Sequence, residues 1–229
     1  MRPQPEASHT RRGGPRGRPA GRAAAATRAL SLALIAAGAL TLAWVLVTST
    51  WQEPITALET WRHQGALARQ LRTRHVPVRA GSLRLEARAY RLASHHGEAM
   101  GRIVIPRLGL DDVLVDGTSE SDLAKGPGLY AGDYLPGEGR LVYVAGHRTT
   151  FSAPFSQINL LRRGDSITIR MPYGTFRYIV SRHRIVAARD VAVLRSGHRE
   201  QLILQSCHPR FFATHRYLVY ARPAGAAGR

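Results

Sequence analysis

The sequence predicts a mainly β domain, a compact barrel or sandwich with short helices, preceded by one N-terminal transmembrane helix. Two observations predict it. Ala29 to Val47 (ALSLALIAAGALTLAWVLV) carries no charge, and with its flanking Ala and Thr residues it reaches the roughly 20 residues that span a bilayer as a helix. From Met100 onward the chain breaks into short β-rich runs separated by Gly, Pro and Asp. Several of these alternate apolar with polar residues, as half-buried antiparallel strands do.

Residues 1–28 are rich in Pro, Gly and Arg, with Glu6 as the only acid. Such a segment has too little apolar surface to fold, which predicts a disordered basic cytoplasmic tail. Residues 29–50 form the expected transmembrane helix, with Trp44 near its far end and Trp51 just beyond, at the level of an aromatic belt. Arginines precede the helix and acids resume only at Glu53, so the tail is predicted inside and everything after residue 50 outside. A cleaved signal peptide is the alternative, which Ser49 and its small neighbours leave open, although its apolar core would be shorter. No polar stripe interrupts the run, against a buried soluble helix.

Residues 51–99 read as a helical, basic extracellular stalk. From Glu53 to Arg74 the spacing is helical, with Ile55, Leu58, Trp61, Leu67 and Leu71 largely on one side. Val76-Pro77 ends that pattern. Arg79 to Glu98 is basic, with Leu83, Leu85, Tyr90 and Leu92 as its few anchors, and reads as a solvated linker.

Residues 100–223 form the predicted β domain and residues 224–229 a C-terminal tail. Candidate strands are Gly101–Ile105, Val113–Val115, Leu141–Ala145, Ser166–Met171, Thr175–Val186, Gln201–Ser206 and Arg216–Ala221. Ser121–Lys125 and Phe155–Leu161 read as short helices, the second closed by Arg162-Arg163-Gly164. No internal repeat is visible.

The chain has 229 residues and a formal net charge of +18 at pH 7. That balance invites a nucleic-acid reading. The charge is almost all arginine, since Lys125 is the only lysine, and it is scattered along the chain. With no zinc-ligand set, no RNP-like aromatic motif and no Walker loop, no nucleic-acid partner is predicted.

Cys207 is the only cysteine, at the end of the strand Gln201–Ser206, before His208-Pro209. A lone thiol makes no internal disulfide, so it is either a buried hydrophobe or a reagent. As a nucleophile it needs a cation nearby to favour the thiolate. Among ten histidines, His147 sits where the strand Leu141–Ala145 becomes a loop, a usual place for a reactive group. His208 adjoins Cys207 but should point to the opposite face. His183 lies mid-strand among basic residues and reads as solvated. Arg216 opens the strand after the Cys207 loop, where a hairpin-like return would bring it beside the sulfur.

Ala145-Gly146-His147-Arg148, Leu204-Gln205-Ser206-Cys207-His208-Pro209 and Arg216 nine residues after the cysteine together resemble the sortase family. The resemblance runs from Ile103-Pro106 through Tyr220. Lys125-Gly126-Pro127-Gly128-Leu129-Tyr130 and Gly146-His147-Arg148-Thr149-Thr150-Phe151 resemble the class E sortases of actinobacteria in particular. The family's Thr-Leu-x-Thr-Cys strand stands here as Ile203-Leu204-Gln205-Ser206-Cys207, which keeps a hydroxyl at Ser206 and loses one at Ile203.

The resemblance implies a closed sortase-type β-barrel and a membrane-anchored cysteine transpeptidase at the plasma membrane. Cys207 would attack the Thr–Gly amide of an LAxTG- or LPxTG-like signal and form a thioester. His147 would be the general acid and base. Arg216 would bind substrate and stabilise the oxyanion, with Arg148 as its competitor. Tyr130, Ser206 and Thr149 would bind substrate. The implied partners are secreted proteins with a C-terminal sorting signal and a cell-wall precursor amine, and the outcome is anchoring of surface proteins.

A pilus-polymerising sortase ranks lower, because no DPW- or DPF-type lid segment precedes the barrel. Two other readings remain, a thiol hydrolase and a non-catalytic, membrane-tethered peptide-binding β-barrel. No cofactor is predicted and no metal, since Asp111, Asp112, Asp116, Asp133, Asp165 and Asp190 lack EF-hand-like spacing.

Overall fold

The structure, a computed structural model, describes residues 20–50, 54–74, 81–130 and 134–225. Most of the predicted tail, Trp51, Glu53, Val76-Pro77, Arg79, Asp133 and residues 226–229 lie outside the described residues. The chain divides into two compact units between Val47 and Thr48.

Helix α1 is Ala20–Thr50. Within it, Ala24–Val47 is 24 residues long and apolar enough to cross a membrane, about 36 Å at 1.5 Å per residue. Leu30, Leu34, Leu40 and Leu46 are all exposed, so the apolar residues of this stretch are not confined to one stripe.

Eight strands close a barrel in the order β1-β2-β3-β4-β7-β8-β6-β5, with β5 returning to β1. They are β1 Ala99–Ile105, β2 Leu110–Asp116, β3 Gly128–Leu129, β4 Leu141–Ala145, β5 Ser166–Met171, β6 Gly174–Ala187, β7 Gln201–His208 and β8 His215–Pro223. Only β2–β3 and β4–β7 pair in parallel; the others are antiparallel. Closure removes the sheet edges. The two-residue β3 has no counterpart in the sequence reading, being too short to show a period. Of the two expected helices, the first is α4, Glu120–Leu123, capped by Ser119 and Asp122. The second reduces to a 3₁₀ turn, Ile158–Leu160.

The period of two places Ile103, Leu114, Val142, Val144, Ile167, Ile169, Leu202, Leu204 and Val219 in the interior with Tyr178 and Phe155. Leu141, Tyr143, Val186, Ile203, Leu218 and Tyr220 form a second cluster on the outer face, beneath Val193 and Leu194. That cover, from the chain joining β6 to β7, explains why every residue of β4 is buried.

The segment read as a stalk packs on the barrel. Helix α2, Pro54–Thr73, lays Leu67 against Ala99, Val113 and Val115. Gln64 acts as an extra rung on β2: its Nε2 donates to Val113 O at 3.0 Å and Lys125 O at 2.9 Å, and its Oε1 accepts from Val113 N at 2.7 Å. Thr60 Oγ1 donates to Ala124 O at 3.0 Å, and Gln70 Oε1 accepts from Ala99 N at 3.0 Å. The docked face is therefore partly polar, which hides it from an apolar-periodicity reading. Leu58 and Trp61, expected on the apolar side, are exposed.

Helix α3, Leu83–Leu92, stands where a solvated linker was expected. Ser82 caps it, accepting from Leu85 N at 3.4 Å. Tyr90 is fully buried and donates to Met100 O at 2.9 Å, and Arg91 forks onto the buried Glu138 at 2.8 and 3.2 Å.

Candidate active site

Two ladders converge on the end of β7. In the parallel β4–β7 pair Ala145 stands level with Gln205, and Gly146 N donates to Gln205 O at 3.0 Å. His147 therefore leaves β4 at the level of Cys207. In the antiparallel β7–β8 pair Cys207 stands opposite Arg216. All three side chains line one cleft of about 330 Å³. Gly146 is required at the strand end because a Cβ there would sit 2.6 Å from the ring of the buried Phe155.

His147 is half-buried, its ring centroid 5.0 Å from that of Phe151. Its Nε2 is buried without a hydrogen-bond partner among the described residues. Burial pulls its pKa below the ordinary 6.5, only partly opposed by the Glu120 carboxylate. Three residues in left-handed backbone follow it, Phe151, Ser152 and Ala153, with φ of 53°, 56° and 42°. Non-glycine residues there cost about 1–2 kcal/mol each. The turn is held by Ala153 N donating to Thr150 O at 2.9 Å, Phe155 N to His147 O at 3.1 Å, and Phe151 N to Thr56 Oγ1 of α2 at 3.1 Å.

Arg216 Nη1 donates to Ala213 O at 2.8 Å and His215 O at 3.1 Å. The guanidinium is thus tethered at one nitrogen beside the thiol. Arg148, the competitor for its role, lies on the other side of β7. It is buried, donating through Nη1 to Cys207 O and through Nη2 to Asn159 Oδ1, each at 3.0 Å, with His208 Nδ1 also 3.0 Å from Nη1. Burial lowers its pKa, and Arg210 nearby adds to this, but a guanidinium starts so high that it is still a cation at neutral pH. It braces the strand that carries Cys207 and does not line the cleft.

His208 packs on Tyr217 on that same far side, as strand alternation requires. His183, read as solvated, is half-buried, with its Nδ1 2.9 Å from Tyr217 Oη. Of the three residues assigned to substrate binding, Tyr130 lines the cleft, edge-on to Tyr143. Ser206 does not. It is fully buried, and its Oγ donates to Gly146 O at 2.9 Å, because the residue before Cys207 must face the interior. Thr149 is half-buried in the loop and outside the cleft lining.

Gln205 and Tyr143 floor the cleft, joined by a 2.6 Å hydrogen bond from Tyr143 Oη to Gln205 Oε1. Val191, Val193 and Leu194 wall it. The apolar run Val191-Ala192-Val193-Leu194 between two strands was the available signal for that wall. Among the described residues no group of three or more His, Cys, Asp or Glu is placed to hold a metal ion.

Comparison with known proteins agrees with this geometry. Sortase D of Bacillus subtilis is 33% identical over 130 residues, covering 55% of this chain and 64% of that relative, so the chain spans a little under two thirds of its length. The structure of sortase E from Streptomyces avermitilis superposes with a TM-score of 0.52 at 28% identity, covering 58% of this chain and 93% of that one. A Clostridium perfringens sortase D5 transpeptidase shares the fold with a TM-score of 0.59 at 21% identity, covering 72% and 98%. The Sortase domain family model matches residues 103–224, more than half of the sequence, and with Cys207, His147 and Arg216 in one cleft inside that span the chain belongs to the sortase domain family.

Proposed function

We propose that the protein is a membrane-anchored cysteine transpeptidase. The reading rests above all on the convergence of Cys207, His147 and Arg216 in one cleft, produced by strand register alone. The Cys207 thiolate attacks the Thr carbonyl of a sorting signal, and Arg216 meets the developing oxyanion with a fixed charge. The C–N bond to Gly then breaks, and the His147 imidazolium gives its proton to the leaving amine. An incoming amine attacks the thioester, His147 takes up the amine's proton, and Cys207 leaves as thiolate. Surface proteins joined in this way to a cell-wall precursor amine are the product.

The signal is LAxTG-like, in the manner of class E. Tyr130 on the cleft wall supports this, as do the Lys125–Tyr130 and Gly146–Phe151 motifs. Ala24–Val47 serves as the anchor, in the plasma membrane, with the arginine-rich tail inside and the barrel outside. Intact-mass analysis of the full chain with LAxTG and LPxTG peptides, with and without amine, tests the reading. An adduct that disappears in Cys207→Ala, and an amine-linked product, are expected. A folded protein that forms no adduct with either peptide overturns the reading, and release of acid alone in the presence of amine makes it a hydrolase.

A further inference from the structure

The catalytic cleft is not the largest concavity on the molecule. On the outer face of β4, β7, β8 and β6 lies a cavity of about 800 Å³ whose rim carries Arg182, Arg184, Arg195, Arg199 and Arg222. The strand register builds it. Arg182 and Arg184 are two apart on β6, Tyr220 of β8 pairs with Arg182, and Arg222 is two beyond Tyr220, so all four side chains share one face. Arg195 and Arg199 come from the chain between β6 and β7 that roofs the cavity. The floor is apolar and buried: Leu141, Ile203 and Tyr220 are at most 4% exposed.

Four arginines elsewhere on the same unit, Arg74, Arg91, Arg102 and Arg107, each pair with a carboxylate. None of the five at this cavity forms an ion pair with a described residue. Two carboxylates share the lining, and both are engaged by other donors. Glu200 accepts from Gly137 N, Gly139 N and Tyr178 Oη, and Asp190 accepts from Ala192 N. Arg182 is held 4.2 Å over the Tyr220 ring, which fixes its charge at the floor. Five exposed guanidinium groups around one concavity with an apolar floor concentrate a positive potential there, and a planar fork suits phosphoryl oxygens.

We propose that this cavity is a binding site for a phosphoryl ligand of at least two negative charges, either free or carried on a lipid headgroup. It lies beside the catalytic cleft, since Asp190 and Val193 line both, yet it contains neither Cys207 nor His147. Its occupancy is therefore read without any turnover at the thiol.

Calorimetric titration of the full chain in neutral detergent with inorganic pyrophosphate at low salt tests it. Saturable binding that weakens as salt shortens the screening length is expected. Arg182→Gln/Arg184→Gln/Arg222→Gln, which removes strand-borne charges only, should weaken binding about tenfold or more, since charge-assisted hydrogen bonds are lost. Arg195→Gln/Arg199→Gln, confined to the roof, should do the same in part and serves if the strand variant misfolds. Arg88→Gln/Arg162→Gln/Arg170→Gln, equal in charge and exposed elsewhere, should leave binding within about twofold if the site is local. Short-chain phosphatidic acid, a phosphomonoester able to carry two negative charges, provides the second arm below its micelle concentration. Saturable binding of that lipid, lost in the strand variant, places the phosphoryl group on a headgroup. No saturable binding of either probe, or equal loss in the distant triple variant, overturns the proposal.

Discussion

Arg148 donates to the carbonyl oxygen of Cys207 at 3.0 Å, from the side of β7 opposite the catalytic cleft. The strand that carries Cys207 is thus braced by a buried cation that also bonds Asn159 and lies 5.6 Å over the Tyr217 ring. Two arginines flank the thiol's residue, Arg216 within the cleft and Arg148 behind it, and their work differs.

Arg148→Ala leaves the half-buried carbonyl of Cys207 without its donor, while the exposed Asn159 can turn to water. An unsatisfied acceptor costs about 1–3 kcal/mol, and a loss in that range is expected. At about 2–4 °C per kcal/mol for a unit of this size, the melting temperature should fall by roughly 2–12 °C. Differential scanning calorimetry decides it, and an unchanged transition would show that the bracket carries no stability.

Arg216→Lys keeps the charge and loses the fork. The residue is half-exposed, so stability should hold within about 0.5 kcal/mol. The rate of Cys207 acylation should fall about 10²–10³-fold, the usual consequence of losing an oxyanion donor. Single-turnover acylation measured beside a melting curve separates the two effects; equal losses in both would make Arg216 structural.

His147 titrates below 6.5 because it is buried. If His147 acts as the proposed general acid and base, the acid limb of kcat/KM marks its protonation. That limb should lie below pH 6.5, and a limb at or above that value contradicts the role given to His147. The same lowering has a stability counterpart. Below pH 6.5 the unfolded chain binds the proton that folded His147 still refuses, so stability falls with pH until the folded group titrates. Burial lowers His183 and His208 as well, which adds in the same direction. Urea midpoints measured from pH 7 to 5 should decline, and His147→Gln should flatten part of the decline.

Helix α2 is structural, through a polar seam. Gln64→Ala removes three hydrogen bonds and leaves Val113 N–H and its carbonyl without their partners. A cost of roughly 2–4 kcal/mol follows. Thr56→Val removes the acceptor for Phe151 N, at the turn whose ring packs on His147. It should lower the acylation rate more than the melting temperature. A fragment beginning at residue 76 should melt below one beginning at residue 48, and equal melting would show that the helix only rests on the barrel.

Much of the barrel was legible because its signals are local. Seven strands show as short β-rich runs between turn signals, several of them alternating, and Leu141–Ala145 and Ser166–Met171 match the observed bounds. Ser206 was placed with the substrate because its hydroxyl resembles the family's, whereas the pleat turns it inward. The docked face of α2 was missed because Thr60, Gln64 and Gln70 bind backbone there, and polar residues leave no apolar stripe.

By itself the sequence determined the uncharged helix, the alternating strands, the single thiol and the order of its His and Arg partners, since each is a property of neighbouring residues. Only the tertiary structure decided that β4 and β7 run parallel with Ala145 level with Gln205, that Cys207 stands across from Arg216, and that Arg148 lies behind the thiol instead of beside it. Five arginines from two strands and a loop also meet around one cavity only in three dimensions. These are matters of register between segments distant in the chain, set by closing the barrel around its apolar interior, and no local pattern encodes them.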